Sequence, residues 1–235
     1  MDRKPMFREE IRKMLGQYAG ATATPRYLRL EDFEREGVRV AERSFGGTDI
    51  IFSPGDPGGQ LYFLLSGTVR LYKIYGAYKE ATLALLKDGG VFGELGLQEG
   101  SRQSLFAEAL TSVRVAVVRK STLTEVIKRR PEFAMKLLFS FSDRLEQSDE
   151  VIDCLLDRGV STRLGTLLMN LGDRFGEANG SGTIIDVRLT HQDLANMISS
   201  TREAVSKEMS ELQRNGVIET RDRRIILYPQ LAKVS

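Results

Sequence analysis

Residues 189–207 constrain this chain more than any other part, because they admit little besides two short helices joined by a tight turn. Thr190 is placed to cap the first helix, and Leu194, Ala195 and Ile198 give it one apolar face. Ser200 and Glu203 have the spacing of a capping box at the start of the second helix, along which Val205, Met209 and Leu212 recur at helical intervals. If those three face inward, Arg202, Glu203, Ser206 and Lys207 face out. That outward set has DNA-reading chemistry: Arg pairs with guanine, a carboxylate accepts from cytosine N4, and Lys reaches phosphate or guanine. After Asn215-Gly216, where the helix should stop, residues 217–219 and 225–228 read as two short strands around the basic turn 220–224. The pattern predicts a helix-turn-helix with a wing.

Charge narrows the mode of binding. The formal net charge is +2 over 235 residues, so affinity for DNA has to come from a local patch, and Arg202, Lys207, Arg214, Arg221, Arg223 and Arg224 supply one. A near balance favours reading a defined site over coating DNA non-specifically. Cys154 and His191 are the only residues of their kinds, which leaves no material for an intrachain disulfide, an iron–sulfur cluster, a His-rich metal centre or a Cys/His catalytic pair. No catalytic residue, metal ligand or haem is therefore expected. The first residues lack the apolar core of a signal peptide, and no run approaches the roughly twenty apolar residues of a membrane span. A cytoplasmic protein with no membrane partner is expected.

Residues 38–120 have a different texture, with apolar runs at 50–52, 61–65, 69–75, 81–86 and 113–118 punctuated by Gly, Pro, Asp and Ser. Short strands at that interval predict an antiparallel barrel or sandwich. A cupin-type oxygenase would also be a small barrel, but it needs His ligands and this region has none. Ahead of it, residues 1–37 mix charged and apolar positions at helical spacing (Phe7, Ile11, Leu15, then Leu28, Leu30, Phe33), which predicts short helices.

From Pro131 to about residue 158 there is no glycine and no further proline, and Leu138, Phe141, Leu145, Ser148, Ile152 and Leu155 alternate spacings of three and four. That is a coiled-coil seam, best buried against the same seam of a second chain. Gly159 offers a hinge, residues 162–171 start another amphipathic helix, and 176–182 read as a polar loop. The chain is thus divided into an N-terminal helical segment (1–37), a sensor domain (38–125), a dimerisation helix (126–158) and a DNA-binding domain (159–235).

This order resembles the family of the cyclic-AMP receptor protein and the fumarate–nitrate reduction regulator, the CRP/FNR transcription regulators, from about Val38 onward. The motifs that carry it are Phe52 with Pro54-Gly55-Asp56, the run from Tyr62 to Gly67, Phe92-Gly93-Glu94-Leu95-Gly96-Leu97, and Thr201-Arg202-Glu203 with Lys207. Within the family, Pro54-Gly55-Asp56-Pro57, Ala84-Leu85-Leu86 and Ser200-Thr201-Arg202 look most like the cyanobacterial global nitrogen-control activators. The resemblance implies an α+β fold: an antiparallel β-roll like that of cyclic-nucleotide-binding domains, a long dimerisation helix and a C-terminal winged helix-turn-helix domain.

It also implies an effector pocket for a small anion, 2-oxoglutarate or cyclic AMP. The nitrogen-control pattern maps onto Phe92, Gly93, Glu94 and Leu95 with Arg144 and Asp149 from the helix, and Leu105 stands where those proteins hold a ligand-binding Arg. The cyclic-nucleotide pattern uses Glu94 for the ribose and an Arg-Ser pair for the phosphate; Ser104 fits, Gln103 stands in place of the Arg with Arg102 beside it, and on the helix Ser148 replaces a Thr. An effector-independent regulator stays open, as does a cyclic-nucleotide-binding module acting through protein contacts. The candidate DNA contacts are Thr201, Arg202, Glu203, Ser206 and Lys207 on the helix and Arg221, Arg223 and Arg224 on the wing. The expected partners are a palindromic promoter site in double-stranded DNA, a second copy of the chain, and RNA polymerase.

Overall fold

A computed structural model describes residues 29–76, 79–98, 100–156, 159–180 and 182–229. The helices expected from Phe7, Ile11, Leu15 and Leu28 lie outside the described residues. Helix α1 (Leu30–Arg35) buries Phe33 completely, with its ring edge-on to Phe63 at 5.2 Å and to Phe133 at 5.4 Å.

Strands β1 (Ala41–Phe45), β2 (Ile50–Phe52), β3 (Gln60–Ser66), β4 (Val69–Tyr75), β5 (Lys79–Leu86), β6 (Val91–Phe92), β7 (Phe106–Ala109) and β8 (Val113–Arg119) form two antiparallel sheets, ordered β1-β8-β3-β6 and β2-β7-β4-β5. The inner faces meet in one core of Phe52, Tyr62, Leu64, Leu71, Phe92 and Val115. Leu61 and Phe63 point the other way, into a second cluster closed by α1, by α2 (Lys120–Arg129) and by the start of α3 (Glu132–Leu156). Strand β3 therefore reads as a continuous apolar run, because both of its faces are covered.

The stretch 126–158, expected as one helix, is divided between two. Arg130 takes φ −137° and ψ 82° between α2 and α3, since the proline that follows disfavours the helical region for it. The expected boundary between 125 and 126 therefore falls inside α2, and residues 157–158 lie outside the described set. At 25 residues α3 is about 37 Å long. Leu138, Leu145, Ile152 and Leu155 are 57%, 66%, 55% and 41% exposed, and Ser148 is exposed among them. Phe141, placed in that seam by spacing, packs against the chain's own roll instead.

Helix α4 (Val160–Phe175) leads into β9 (Gly176–Asn179) and β10 (Gly182–Ile185), a hairpin where a polar loop was expected. Gly176 is obligatory there: a Cβ would meet the Gly172 carbonyl oxygen at 2.0 Å. Helices α5 (His191–Met197) and α6 (Arg202–Arg214) follow, then β11 (Ile218–Arg221) and β12 (Arg224–Leu227), which complete a sheet ordered β11-β12-β10-β9. Leu164, Leu168, Ile185, Leu194, Ile198, Met209 and Ile225 are its fully buried core. No described helix is long and apolar enough to cross a membrane.

Candidate nucleic-acid interface and effector pocket

The turn between α5 and α6 is built by backbone chemistry. Thr190 caps α5 by accepting from the Asp193 amide, and the Asp193 carboxylate returns the bond to the Thr190 amide. At the other end Ser199 adopts φ 51° and the Ser200 amide reaches back to the Ala195 carbonyl at 3.0 Å, which is a Schellman closure. Ser200 thus belongs to the end of α5. The cap of α6 is Thr201, whose hydroxyl accepts from the Ala204 amide at 3.2 Å, so the Ser200–Glu203 capping box expected from spacing does not form. Arg163 of α4 fastens the turn by donating to the Ile198 carbonyl at 2.9 Å.

Val205, Met209 and Leu212 are buried along α6, which leaves Thr201, Arg202, Glu203 and Lys207 exposed on one face. Ser206 differs from expectation. It is half-buried and shares a 2.8 Å hydrogen bond with Nδ1 of His191, which clips α6 to α5.

The wing is a two-residue hairpin with Asp222 at φ 50° and Arg223 at φ 63°, the turn geometry that matches strand twist. Its three arginines are not equivalent. Arg221 is held by both oxygens of Glu219 at 2.6 and 3.2 Å, and Glu219 also accepts from the Tyr228 hydroxyl at 2.8 Å. The hydrogen bond from Arg221, aided by the one from Tyr228, pulls the Glu219 carboxyl below its ordinary pKa, and the same contacts raise Arg221 and Tyr228. Arg224 pairs with Asp186 at 3.0 Å, and Arg223 stands exposed at the tip.

In the roll, Phe92 is fully buried and stacks on Tyr62 at 5.1 Å. Gly93 follows at φ 89°, with the Tyr62 ring 2.8 Å from where a Cβ would stand, so only glycine fits. The chain then enters a 3₁₀ turn, Glu94–Gly96, and the Glu94 carboxylate pairs with Arg144 from α3. One oxygen of Glu94 and one terminal nitrogen of Arg144 are buried without a hydrogen-bond partner among the described residues, as are both amide atoms of Gln103. Leu95 is 48% exposed.

The structure joins Glu94 to Arg144 and lays the Gln103 side-chain amide against Gly96 of the same turn, but Arg102, Ser104, Ser148 and Asp149 are directed elsewhere. Arg102 is exposed and donates to the Gly55 carbonyl at 2.6 Å, Ser104 is exposed, and Ser148 donates back to the Arg144 carbonyl. Asp149 is exposed beside it. A buried phosphate needs a cation at its oxygens. At the position of the Arg-Ser pair stands the neutral Gln103, 3% exposed, so the cation nearest to Glu94 is Arg144. No group of three or more His, Cys, Asp or Glu side chains suited to a metal occurs among the described residues.

Sequence reasoning missed one buried charge. Arg70 on β4 is 5% exposed and is tied to Glu80, Thr82 and Glu108. Within the alternating run from Val69 to Tyr75 it reads as an ordinary solvent-facing residue, and nothing local distinguishes it.

Residues 42–130 match the cyclic nucleotide-binding domain, and residues 162–233 match the Crp-like helix-turn-helix domain. A global nitrogen regulator of Nostoc sp. is 34% identical over 79% of this chain and 84% of its own length. A CRP-like cAMP-activated global transcriptional regulator of Mycobacterium tuberculosis is 26% identical over 75% of this chain and 79% of its own. Among solved structures, a CRP/FNR family transcriptional regulator from Thermus thermophilus is 29% identical, with TM-score 0.68 over 83% of this chain and 97% of that one. FixK2 from Bradyrhizobium japonicum, at 23% identity, shares the fold with TM-score 0.73 over 84% of this chain and 98% of its own. With a helix-turn-helix domain behind a cyclic nucleotide-binding domain, and with relatives of that likeness over most of their length, the chain belongs to the CRP/FNR family of transcription regulators.

Proposed function

We propose that the protein is a homodimer that reads an imperfect palindrome in double-stranded DNA and recruits RNA polymerase under the control of a small anionic effector. One observation carries the reading: the exposed stripe Leu138, Leu145, Ile152 and Leu155 lies on the same chain as a recognition helix whose polar face is open. An apolar stripe of that length is stable in water only when covered, and a self-complementary seam gives a two-fold dimer. Two recognition helices related by that axis would read half-sites about 34 to 36 Å apart. Arg202 and Glu203 are the base readers, Lys207 and Arg223 the phosphate contacts, and Thr201 and Ser206 support them as cap and clip.

The test is site selection from random DNA. A two-fold motif with half-sites like GTA or GTGA is expected, and it should be lost in Leu145→Asp. An asymmetric motif refutes the reading. Arg202→Ala should cost about 1 to 3 kcal/mol on the selected site and little on random DNA.

The effector is the less constrained part. Arg144 with its unpartnered nitrogen supports a carboxylate ligand such as 2-oxoglutarate that competes with Glu94, and the buried amide of Gln103 speaks against a phosphate at that position. The pairing of Arg144 with Glu94 favours a second reading, a regulator that needs no effector because its pocket charge is balanced internally. Thermal shift with 2-oxoglutarate, cyclic AMP and cyclic GMP separates the two. A ligand at a hundred times its dissociation constant stabilises by about 2.7 kcal/mol, a gain that Arg144→Ala should abolish.

A further inference from the structure

The outer face of the β2-β7-β4-β5 sheet carries a charged cluster with no part in base reading or effector binding. The Arg70 Nε donates to Thr82 Oγ1 at 2.9 Å, its terminal nitrogens meet Glu80 on β5 and Glu108 on β7, and its guanidinium lies 4.2 Å over the Tyr72 ring. Strand register sets Leu85 beside Arg70 and Thr82 beside Tyr72, and all four are buried. An antiparallel sheet turned toward water would expose such residues.

The cover is the DNA-reading domain. Leu85 is part of its core cluster, together with Leu164, Leu168 and Met197. At the end of α5 the Asn196 side-chain amide donates to Glu80 Oε2 at 3.0 Å. The Glu108 carboxyl is pushed above its usual range by burial and further by the charges of Glu80 and, from α5, Asp193, with Arg70 opposing.

An apolar contact such as that of Leu85 tolerates sliding. A partly buried ionic cluster tolerates it less, because a carboxylate moved off its donor loses the bond while part of its desolvation cost remains. The contact therefore selects one orientation of α5 on β5. It carries α6 with it, since His191 and Ser206 clip the two helices together. Docked this way, Arg202, Glu203 and Lys207 stay exposed.

We propose that Asn196, seated on the Arg70–Glu80 ion pair, is a positioning residue that ties the first helix of the reading head to the sensor sheet and so fixes the angle at which the recognition helices meet their half-sites. The proposal rests on the dimeric reading given above, and it assigns Asn196 to the sensor sheet and not to DNA.

The experiment uses full-length protein and two readouts. In the absence of DNA, amide hydrogen exchange is measured at residues 82–85, on the edge strand that α5 covers. Asn196→Ala should speed it, and unchanged exchange overturns the tie. With DNA, affinity is measured on palindromes whose half-site spacing is the selected one or differs by one base pair. Asn196→Ala should weaken binding about 2- to 30-fold at the selected spacing and less at the others, flattening the preference, as expected when coupling runs through packed side chains. Asn196→Asp, which opposes a carboxylate to Glu80, should be at least as poor. Adding Glu80→Gln to it reverses the hydrogen bond, keeps a negative charge near Arg70, and should restore the preference. A sharp preference retained in Asn196→Ala, tighter binding by that variant, or failure of the double variant to improve on Asn196→Asp each overturns the proposal. A wild-type chain that exchanges as expected but selects no two-fold site counts against the dimeric reading alone.

Discussion

Leu145→Ala separates a dimer seam from a merely exposed residue, and its magnitude follows from the geometry. Burying a whole Leu side chain stabilises by about 1.5 to 3 kcal/mol. Leu145 is 66% exposed in the single chain, so a partner helix has some two-thirds of that left to cover, about 1 to 2 kcal/mol per copy. A two-fold interface removes two copies at once. The dimer should lose about 2 to 4 kcal/mol, a rise of about 30- to 700-fold in its dissociation constant. Sedimentation velocity over a dilution series measures this directly. Protomer stability should hardly change, because the residue makes little use of its own fold. Phe141→Ala is the internal contrast: that ring packs on the chain's own roll, so its loss should lower the unfolding midpoint and leave the dimer constant nearly unchanged. If Leu145→Ala dissociates no more readily than wild type, or if its protomer unfolds as readily as Phe141→Ala, the seam assignment is refuted.

Thr201→Ala should destabilise α6 by about 1 kcal/mol through loss of its cap, whereas Ser200→Ala should cost little; chemical denaturation of the two variants decides which hydroxyl is the cap. Arg223→Ala should lower the slope of log affinity against log salt by about one unit, whereas Arg221→Ala should lower it less, because Glu219 already neutralises that guanidinium. Burial raises the carboxyl of Glu108, so between pH 4.5 and the raised value the folded state holds a proton that the unfolded chain has released, and the penalty on its charge is relieved as pH falls through that interval. Wild-type stability relative to Glu108→Gln, read from urea midpoints, should therefore rise as pH falls from 7 through that raised value; a relative loss over that interval contradicts the assignment.

The reading head was legible in the sequence because its signals are local. Thr190 as a cap, the stop at Asn215-Gly216 and the spacing of Val205, Met209 and Leu212 act within one or two turns of chain. The strands of the roll were legible where both faces are covered, as in β3, and illegible where alternation is mostly polar, as in β1 with its Glu42, Arg43 and Ser44. Two adjacent hydroxyl residues misled the choice of cap. Ser200 satisfies the capping-box spacing, but the left-handed Ser199 commits its amide to closing α5, and that depends on the preceding helix. Arg70 and Asn196 were invisible for a stronger reason: their partners lie on β5 and β7, and in the case of Asn196 116 residues away, and only docking of one domain on the other buries the site.

The left-handed turn at the wing tip sets stability against function in a single residue. Glycine after Asp222 would suit that backbone better, since a side chain in the left-handed region costs roughly 1 to 2 kcal/mol. Random drift screened only for a sturdier hairpin, or a consensus redesign for heat resistance, would therefore be drawn to replace Arg223, and would strip the tip of its cation while every thermal assay improved. On the proposed function that cation meets a phosphate, so the sturdier hairpin would bind DNA less tightly and with a shallower salt dependence.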